Sequence, residues 1–209
     1  MVSRVVCIAR ARGAGGEAVG RMVSNGMRFR YVDDEILVRA SEKADVDPDL
    51  VADAERRKGL MARILDVMAQ AGAADVESSA FAPDAVMAAN ASTNYQDLIR
   101  EVIWECGTEG NAVIVAHAAG MALTEMDGVL RVLITASPET RAARLVEAGG
   151  LSEGDARKEI DNSDKERADY FRRFYNIREE LPTHYDIVVN TDHLSLQHAA
   201  QAVIGAAQA

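Results

Sequence analysis

Five short apolar segments rich in β-branched residues punctuate the chain, at 4–9, 29–32, 112–116, 130–135 and 186–190. Most run apolar residue upon apolar residue instead of alternating, which is the pattern of strands covered on both faces. Helical patterns lie between them. Strands separated by helices predict an α/β layered architecture with a mainly parallel sheet and right-handed crossovers.

The interval 33–110 is too long for one crossover and contains no convincing strand, so it reads as a helical insertion. Asp47 before Pro48 is a helix start, because proline at the first helical position gives up an N–H that has no partner there. Leu60, Met61, Ile64, Leu65 and Met68 then recur at helical spacing, and Gly72 closes the run. Such a stripe is ordinary core and carries no chemistry. Residues 75–92 lack a clear period and contain Pro83 among serines and alanines, the pattern of a loop or short helix. The stretch 152–180 is dense in charge of both signs, predicting an exposed helical excursion. Ser152 and Asp155 at its start have the spacing of a capping box, with Asp in place of Glu or Gln. At the carboxyl end Leu196, Ala199, Ala200 and Val203 line one face of a last helix.

Length and composition narrow the picture. The chain has 209 residues, 48% hydrophobic and 27% charged, enough for one domain with a sizeable core and unlike a disordered segment. No apolar run approaches the ~18 residues of a membrane span, and the amino end has no secretory signal pattern. Cys7 and Cys106 are the only thiols, so a disulfide framework and a cysteine zinc site both lack material, and a reducing cytoplasm is expected. The four histidines show no H-E-x-x-H spacing, and no G-x-S-x-G elbow occurs. A net charge of −10 argues against general binding to nucleic acid or anionic membrane. Residues 1–30 depart from that average: six arginines and one acid, Glu17, give a local +5. Either a small anionic ligand binds here, or the arginines are scattered surface charges.

The chemistry points to the same end of the chain. After the first strand comes Arg10-Ala11-Arg12-Gly13-Ala14-Gly15-Gly16-Glu17, followed by a helical pattern. Strand, glycine-rich turn and helix aim backbone N–H groups and the positive helix end at a phosphate. On the template G-x-x-x-x-G-K-[ST], Arg10 takes the first glycine position, Gly15 the second, Gly16 the lysine and Glu17 the hydroxyl residue. The lysine that bridges β and γ phosphates and the hydroxyl that holds magnesium are therefore both missing. Arg10 and Arg12 are candidates to balance the charge, since guanidinium groups bind phosphate oxygens in pairs. The other reading is a tight glycine turn without a ligand. Asp33, at the end of the second segment, either faces the crevice where open α/β sheets bind ligands or, like Asp34, caps the next helix.

With these features the chain resembles the cytidylate kinase-like group of P-loop nucleoside monophosphate kinases. The resemblance rests on Ile8-Ala9-Arg10 leading into Gly13-Ala14-Gly15-Gly16, on Tyr31-Val32-Asp33 with Glu35-Ile36-Leu37, and on Val113-Ile114-Val115-Ala116-His117-Ala118. It extends to Arg141, Arg144, Asp164-Lys165-Glu166-Arg167, Tyr170 and Tyr185-Asp186-Ile187-Val188-Val189-Asn190-Thr191. From about 40 to 110 only length and helical character agree. The resemblance implies an α/β P-loop NTPase-type fold: a central parallel five-stranded sheet flanked by helices, in a single domain 1–209, with a helical acceptor-binding insertion (33–110) and a lid (151–180). It implies phosphoryl transfer from ATP with magnesium to CMP or a similar small acceptor. The missing lysine and hydroxyl and the altered Ala116-His117 favour the alternative, a nucleotide- or phosphate-binding regulatory protein that has lost catalysis. Gly13, Ala14, Gly15, Gly16 and Glu17 would form the phosphate loop, with Arg141 and Arg144 near the donor. Arg10, Arg12 and Arg167 would carry catalysis, and Asp33, His117 and Asp164 would meet the substrate. Two departures stand out: Ala116-His117 replaces the group's Gly-Arg, and Ser163 replaces a lid arginine. Metal ligands and oligomeric state are left open.

Overall fold

The computed structural model describes residues 3–49, 51, 83–115 and 117–209, and of 83–94 the backbone alone. The strands are β1 (Val5–Arg10), β2 (Arg30–Val32), β3 (Ala112–Val115), β4 (Val129–Thr135) and β5 (Ile187–Asn190). All pair in parallel in the order β2-β3-β1-β4-β5. The α/β fold with a five-stranded parallel sheet flanked by helices therefore stands as expected, each strand within a residue or so of its apolar segment.

The helices are α1 (Gly16–Met27), α2 (Glu35–Ala44), α3 (Pro83–Glu109), α4 (Ala119–Ala122), α5 (Pro138–Gly149), α6 (Glu153–Tyr175) and α7 (Leu196–Gln208). Successive residues of β1 serve opposite faces, which is why its sequence does not alternate. Val6 and Ile8 pack with Val19 and Val23 of α1 and Val203 of α7, while Val5 and Cys7 pack with Ile36, Ile99 and Ile103 of α2 and α3. An ionic seam adds to the second layer: Lys43 reaches Glu101 and Glu105, and Arg39 reaches Glu105 and Glu109.

Serines cap three helices, among them Ser152, the capping residue expected from the sequence. Ser137, Ser152 and Ser195 each accept an N–H from the first turn of α5, α6 and α7. Asp47 accepts from the Asp49 N–H at 2.9 Å, but the Leu60–Met68 stripe and Gly72 lie outside the described residues. The segment read as a loop or short helix differs from Pro83 onward: residues 83–92 are the first turns of the 27-residue α3. Proline starts that helix at a position where it lacks nothing, and the later part of α3 buries Ile99, Val102, Ile103 and Cys106. Tertiary packing of that face supplies the stability that local periodicity does not signal.

Candidate active site

The turn after β1 is held from behind. Gly13 (φ 81°) and Gly15 (φ 85°) are left-handed, and the Ala14 N–H closes onto Ala11 O at 3.0 Å. A Cβ on Gly13 would lie 2.8 Å from the Arg141 carbonyl, and one on Gly15 would lie 2.5 Å from Leu196. Arg141 Nε donates to Arg12 O at 2.6 Å, and Arg144 Nη1 to Ala14 O at 3.2 Å. Thr191 Oγ1 lies 2.9 Å from the same Ala14 oxygen. Because a trans peptide points its N–H opposite to its C=O, pulling these two carbonyls toward α5 turns the Gly13 and Gly15 N–H groups away from it. Gly15 is the N-cap of α1 and offers no side chain to the first turn. Among the described residues no acceptor takes the N–H of Gly13, Gly15 or Gly16. Donors of this kind at a helix start suit an anion.

Of the arginines around the turn, Arg144 bonds Ala14 and Thr191 oxygens, and the other four are engaged by carboxylates. Arg10 Nε lies 2.8 Å from Glu17, Arg12 Nη2 2.7 Å from Glu159, and Arg141 grips Asp164 with two bonds of 2.7 and 2.9 Å. Arg141 is 5% exposed. Arg167 pairs with Glu180 at 2.6 and 2.7 Å and also reaches Arg10 O at 3.3 Å. Burial raises the Glu180 carboxyl, but the Arg167 guanidinium and the Tyr185 hydroxyl outweigh it and hold it below the ordinary range. A cleft of about 330 Å³ lies beside this pair, with Ala11, Thr135, Asp164, Arg167 and Phe171 among its walls. Of the six early arginines, the turn thus gathers only two. Arg21 lies over the Tyr31 ring at 4.3 Å, and Arg30 bonds Glu35 and Glu109.

Across the sheet, Asp33 follows β2 and does not cap α2. Asp34 holds the N-cap position without a side-chain bond, and the Asp33 carboxylate instead accepts the Tyr31 hydroxyl at 3.1 Å. His117 Nε2 lies 4.0 Å from Asp33 Oδ1. His117 and Ala118 are consecutive left-handed residues (φ 52° and 50°), conformations that cost on the order of 1–3 kcal/mol each outside glycine and that collect at functional sites. Burial pushes the Asp33 carboxyl up, against the Tyr31 hydrogen bond and the Arg10 and His117 charges. It also pushes the Tyr31 phenol, beside that carboxylate, to about 12. Ala116 lies outside the described residues.

Two groups thus form among the expected residues. Arg10, Arg12, Gly13–Gly16, Glu17, Arg141, Arg144, Asp164 and Arg167 gather at the ends of β1 and β4, while Asp33 and His117 stand at the ends of β2 and β3. Arg10 links them, since its charge acts on Asp33. Sequence reasoning gave no role to Glu159, Glu180, Tyr185 or Thr191. The sequence separations of Arg12–Glu159 and Arg167–Glu180 have no local signature, whereas Thr191, directly after a predicted strand, stood where a ligand-side residue is expected.

A strand, a left-handed glycine turn and a helix start at the switch point of a 2-3-1-4-5 parallel sheet define a P-loop kinase type of fold. The chain belongs to the cytidylate kinase-like family, whose model matches residues 5–193. No curated protein matches it. Among solved structures, an uncharacterized protein from Eubacterium ventriosum ATCC 27560 is similar with 15% identity and a TM-score of 0.62, over 97% of both chains. A shikimate kinase from Bacteroides thetaiotaomicron shares 12% identity with a TM-score of 0.50, over 97% of this chain and 94% of that one. A Thermus thermophilus protein shares 16% identity with a TM-score of 0.50, over the whole of both chains. At such identities these likenesses speak to the fold. Among the described residues no helix is long and apolar enough to cross a membrane, and no three His, Cys, Asp or Glu side chains are grouped as for a metal ion.

Proposed function

We propose that the protein is a phosphotransferase that takes the polyphosphate of ATP on the Gly13–Gly16 turn and passes its γ-phosphoryl group to a small acceptor beside Asp33 and His117. The observation that carries the reading is the orientation of the Gly13 and Gly15 N–H groups, which face away from α5 because arginines hold the neighbouring carbonyls. Backbone dipoles fixed before the ligand arrives need no reorganisation, and they do part of the work otherwise done by the absent lysine. Arg141 and Arg144 act on phosphate through the loop. Arg10 and Arg12, and Arg167 from the lid helix α6, exchange carboxylate for phosphate as the transferring group's charge develops. Magnesium arrives with the nucleotide, since it is usually held by substrate phosphates and one or two carboxylates. Glu17, beside the turn, is the carboxylate in position to join it. The family name makes CMP the first acceptor to try.

A second reading has one observation in its favour: Glu17, Glu159, Asp164 and Glu180 already pair Arg10, Arg12, Arg141 and Arg167. A protein that binds nucleotide and responds in shape, without turnover, would use the same exchange. Calorimetric titration with ATP, ADP and CMP, with and without magnesium, followed by product analysis, separates the two. ATP binding with transfer supports the first, binding without turnover supports the second, and absence of ATP binding refutes both.

A further inference from the structure

Opposite the glycine turn, Asp33, Tyr31 and His117 form a second polar group. Asp33 is 17% exposed in its side chain and His117 8%. Asp33 caps no helix, and among the described residues no lysine or arginine comes within 4.0 Å of it. Its hydrogen bond comes from a phenol, Tyr31, that remains protonated at neutral pH. The neighbouring Asp34 adds negative charge, while the charges of Arg10 and His117 act on Asp33 in the opposite sense. A largely buried carboxylate at the end of a strand, held by a phenol and touched, among the described residues, by no lysine or arginine, is well placed to accept a proton.

The two kinds of acceptor oxygen make opposite demands. An oxygen of a phosphate monoester is already ionised at neutral pH: it needs cations around it and no base. An alcohol must lose a proton as it attacks, so it needs an acceptor within hydrogen-bond reach and tolerates neighbouring carboxylates. The arrangement of Asp33, Tyr31 and His117 meets the second demand. β2 and β1 are separated by β3, so two interstrand spacings of about 4.8 Å leave roughly 10 Å between Asp33 and the turn. A phosphoryl group and a small polyhydroxyl compound span that distance.

Resting on the reading above, we infer that the acceptor oxygen is an alcohol hydroxyl, with Asp33 as its general base and His117 as a hydrogen-bonding partner that orients the acceptor. In the step the acceptor O–H bond breaks and the proton goes to the Asp33 carboxylate. The freed electron pair forms the bond to the γ-phosphorus. The bond from that phosphorus to the β–γ bridging oxygen breaks, and its electron pair leaves with the nucleoside diphosphate. Asp33 then returns its proton to water. The products are a phosphate monoester and the diphosphate.

Water, the smallest hydroxyl acceptor, gives a direct probe. Hydrolysis of magnesium ATP by the full chain is measured for the wild type, Asp33→Asn and Asp33→Glu, beside ATP affinity by calorimetry, thermal melting, and conversion of CMP to CDP. Asp33→Asn is expected to bind ATP as the wild type does, to melt no lower, and to hydrolyse it on the order of a hundredfold more slowly. Asp33→Glu, which keeps a base, retains more activity than Asn. Should Asn fail to fold, the Glu variant and the CMP assay on wild-type protein carry the test. Formation of CDP, hydrolysis unaffected by the substitution, or ATP bound by the wild type without hydrolysis overturns the inference while leaving nucleotide binding intact. Failure to bind ATP sinks the underlying reading as well.

Discussion

The Arg141–Asp164 pair is lopsided, and its asymmetry can be measured. Arg141 is almost wholly buried, whereas the Asp164 side chain is 46% exposed. Removing the carboxylate in Asp164→Ala leaves a buried guanidinium with Arg12 O as its remaining hydrogen-bond partner. Breaking a buried pair in this way costs about 3–5 kcal/mol, and water reaching the Asp164 side places this case near 3. Arg141→Met fills much of the same volume and lets Asp164 hydrate, losing chiefly the bond to Arg12 O, so about 1–2 kcal/mol. In the Arg141→Met background the Asp164→Ala change should then cost little, because the charge it left unpaired is gone. For a chain of this size 3 kcal/mol corresponds to a melting temperature lower by about 6–12 °C. Urea unfolding followed by circular dichroism gives all three values, with unchanged m confirming that stability alone has moved. Saturating ATP should recover more of the loss in Asp164→Ala than in Arg141→Met, since only the former keeps the guanidinium that holds the Arg12 carbonyl and so aims the Gly13 N–H at the phosphate. If Arg141→Met costs more than Asp164→Ala, or if the double variant loses the sum of the two, the pair does not work as described.

Three further outcomes follow from other parts of the site. Arg12→Ala breaks a largely exposed ion pair with Glu159, so stability should change by less than about 1 kcal/mol while phosphoryl transfer falls at least tenfold; equal activity in a coupled assay would remove Arg12 from the site. Gly13→Ala forces a side chain into a left-handed position against the Arg141 carbonyl, and should cost about 2 kcal/mol or more in melting experiments and abolish ATP binding. Glu180 has a folded-state pKa held below its ordinary value of 4.5, so its contribution is present above that value and is lost as pH falls through the lower folded-state value; Glu180→Gln should melt lower than wild type at pH 7 and lose less on acidification.

The sheet was legible because burial on both faces writes itself into consecutive apolar residues such as Val5–Ile8 and Ala112–Val115. The cap at Ser152 was legible because a helix start is a local event. By contrast, residues 83–92 have no period of their own, and α3 is long because its later turns pack under the sheet. At the site, glycine spacing announced the turn, yet nothing local announced that Arg141 and Arg144 would reach back about 130 positions to its carbonyls. Asp33 shows both sides: its place after a strand suggested a ligand, but its rejection of the capping role became visible only once Tyr31 was seen to bond it.

Those returning arginines also bear on how a loop without lysine could still select polyphosphate. A lysine contributes a mobile charge at the ligand, whereas Arg141 and Arg144 contribute fixed geometry from the far side, through peptide planes that cannot turn without losing their bonds. Charge supplied this way is partial and directional, so it favours the position of the phosphate more than its binding strength. The compensating cations are then Arg10, Arg12 and Arg167, each already satisfied by an acid. Binding must exchange one anion for another, and the net gain is the difference between a phosphate and a carboxylate in the same place. Such a site should bind nucleotide weakly in the ground state and prefer the more highly charged transferring phosphoryl group, which is the differential binding that catalysis requires.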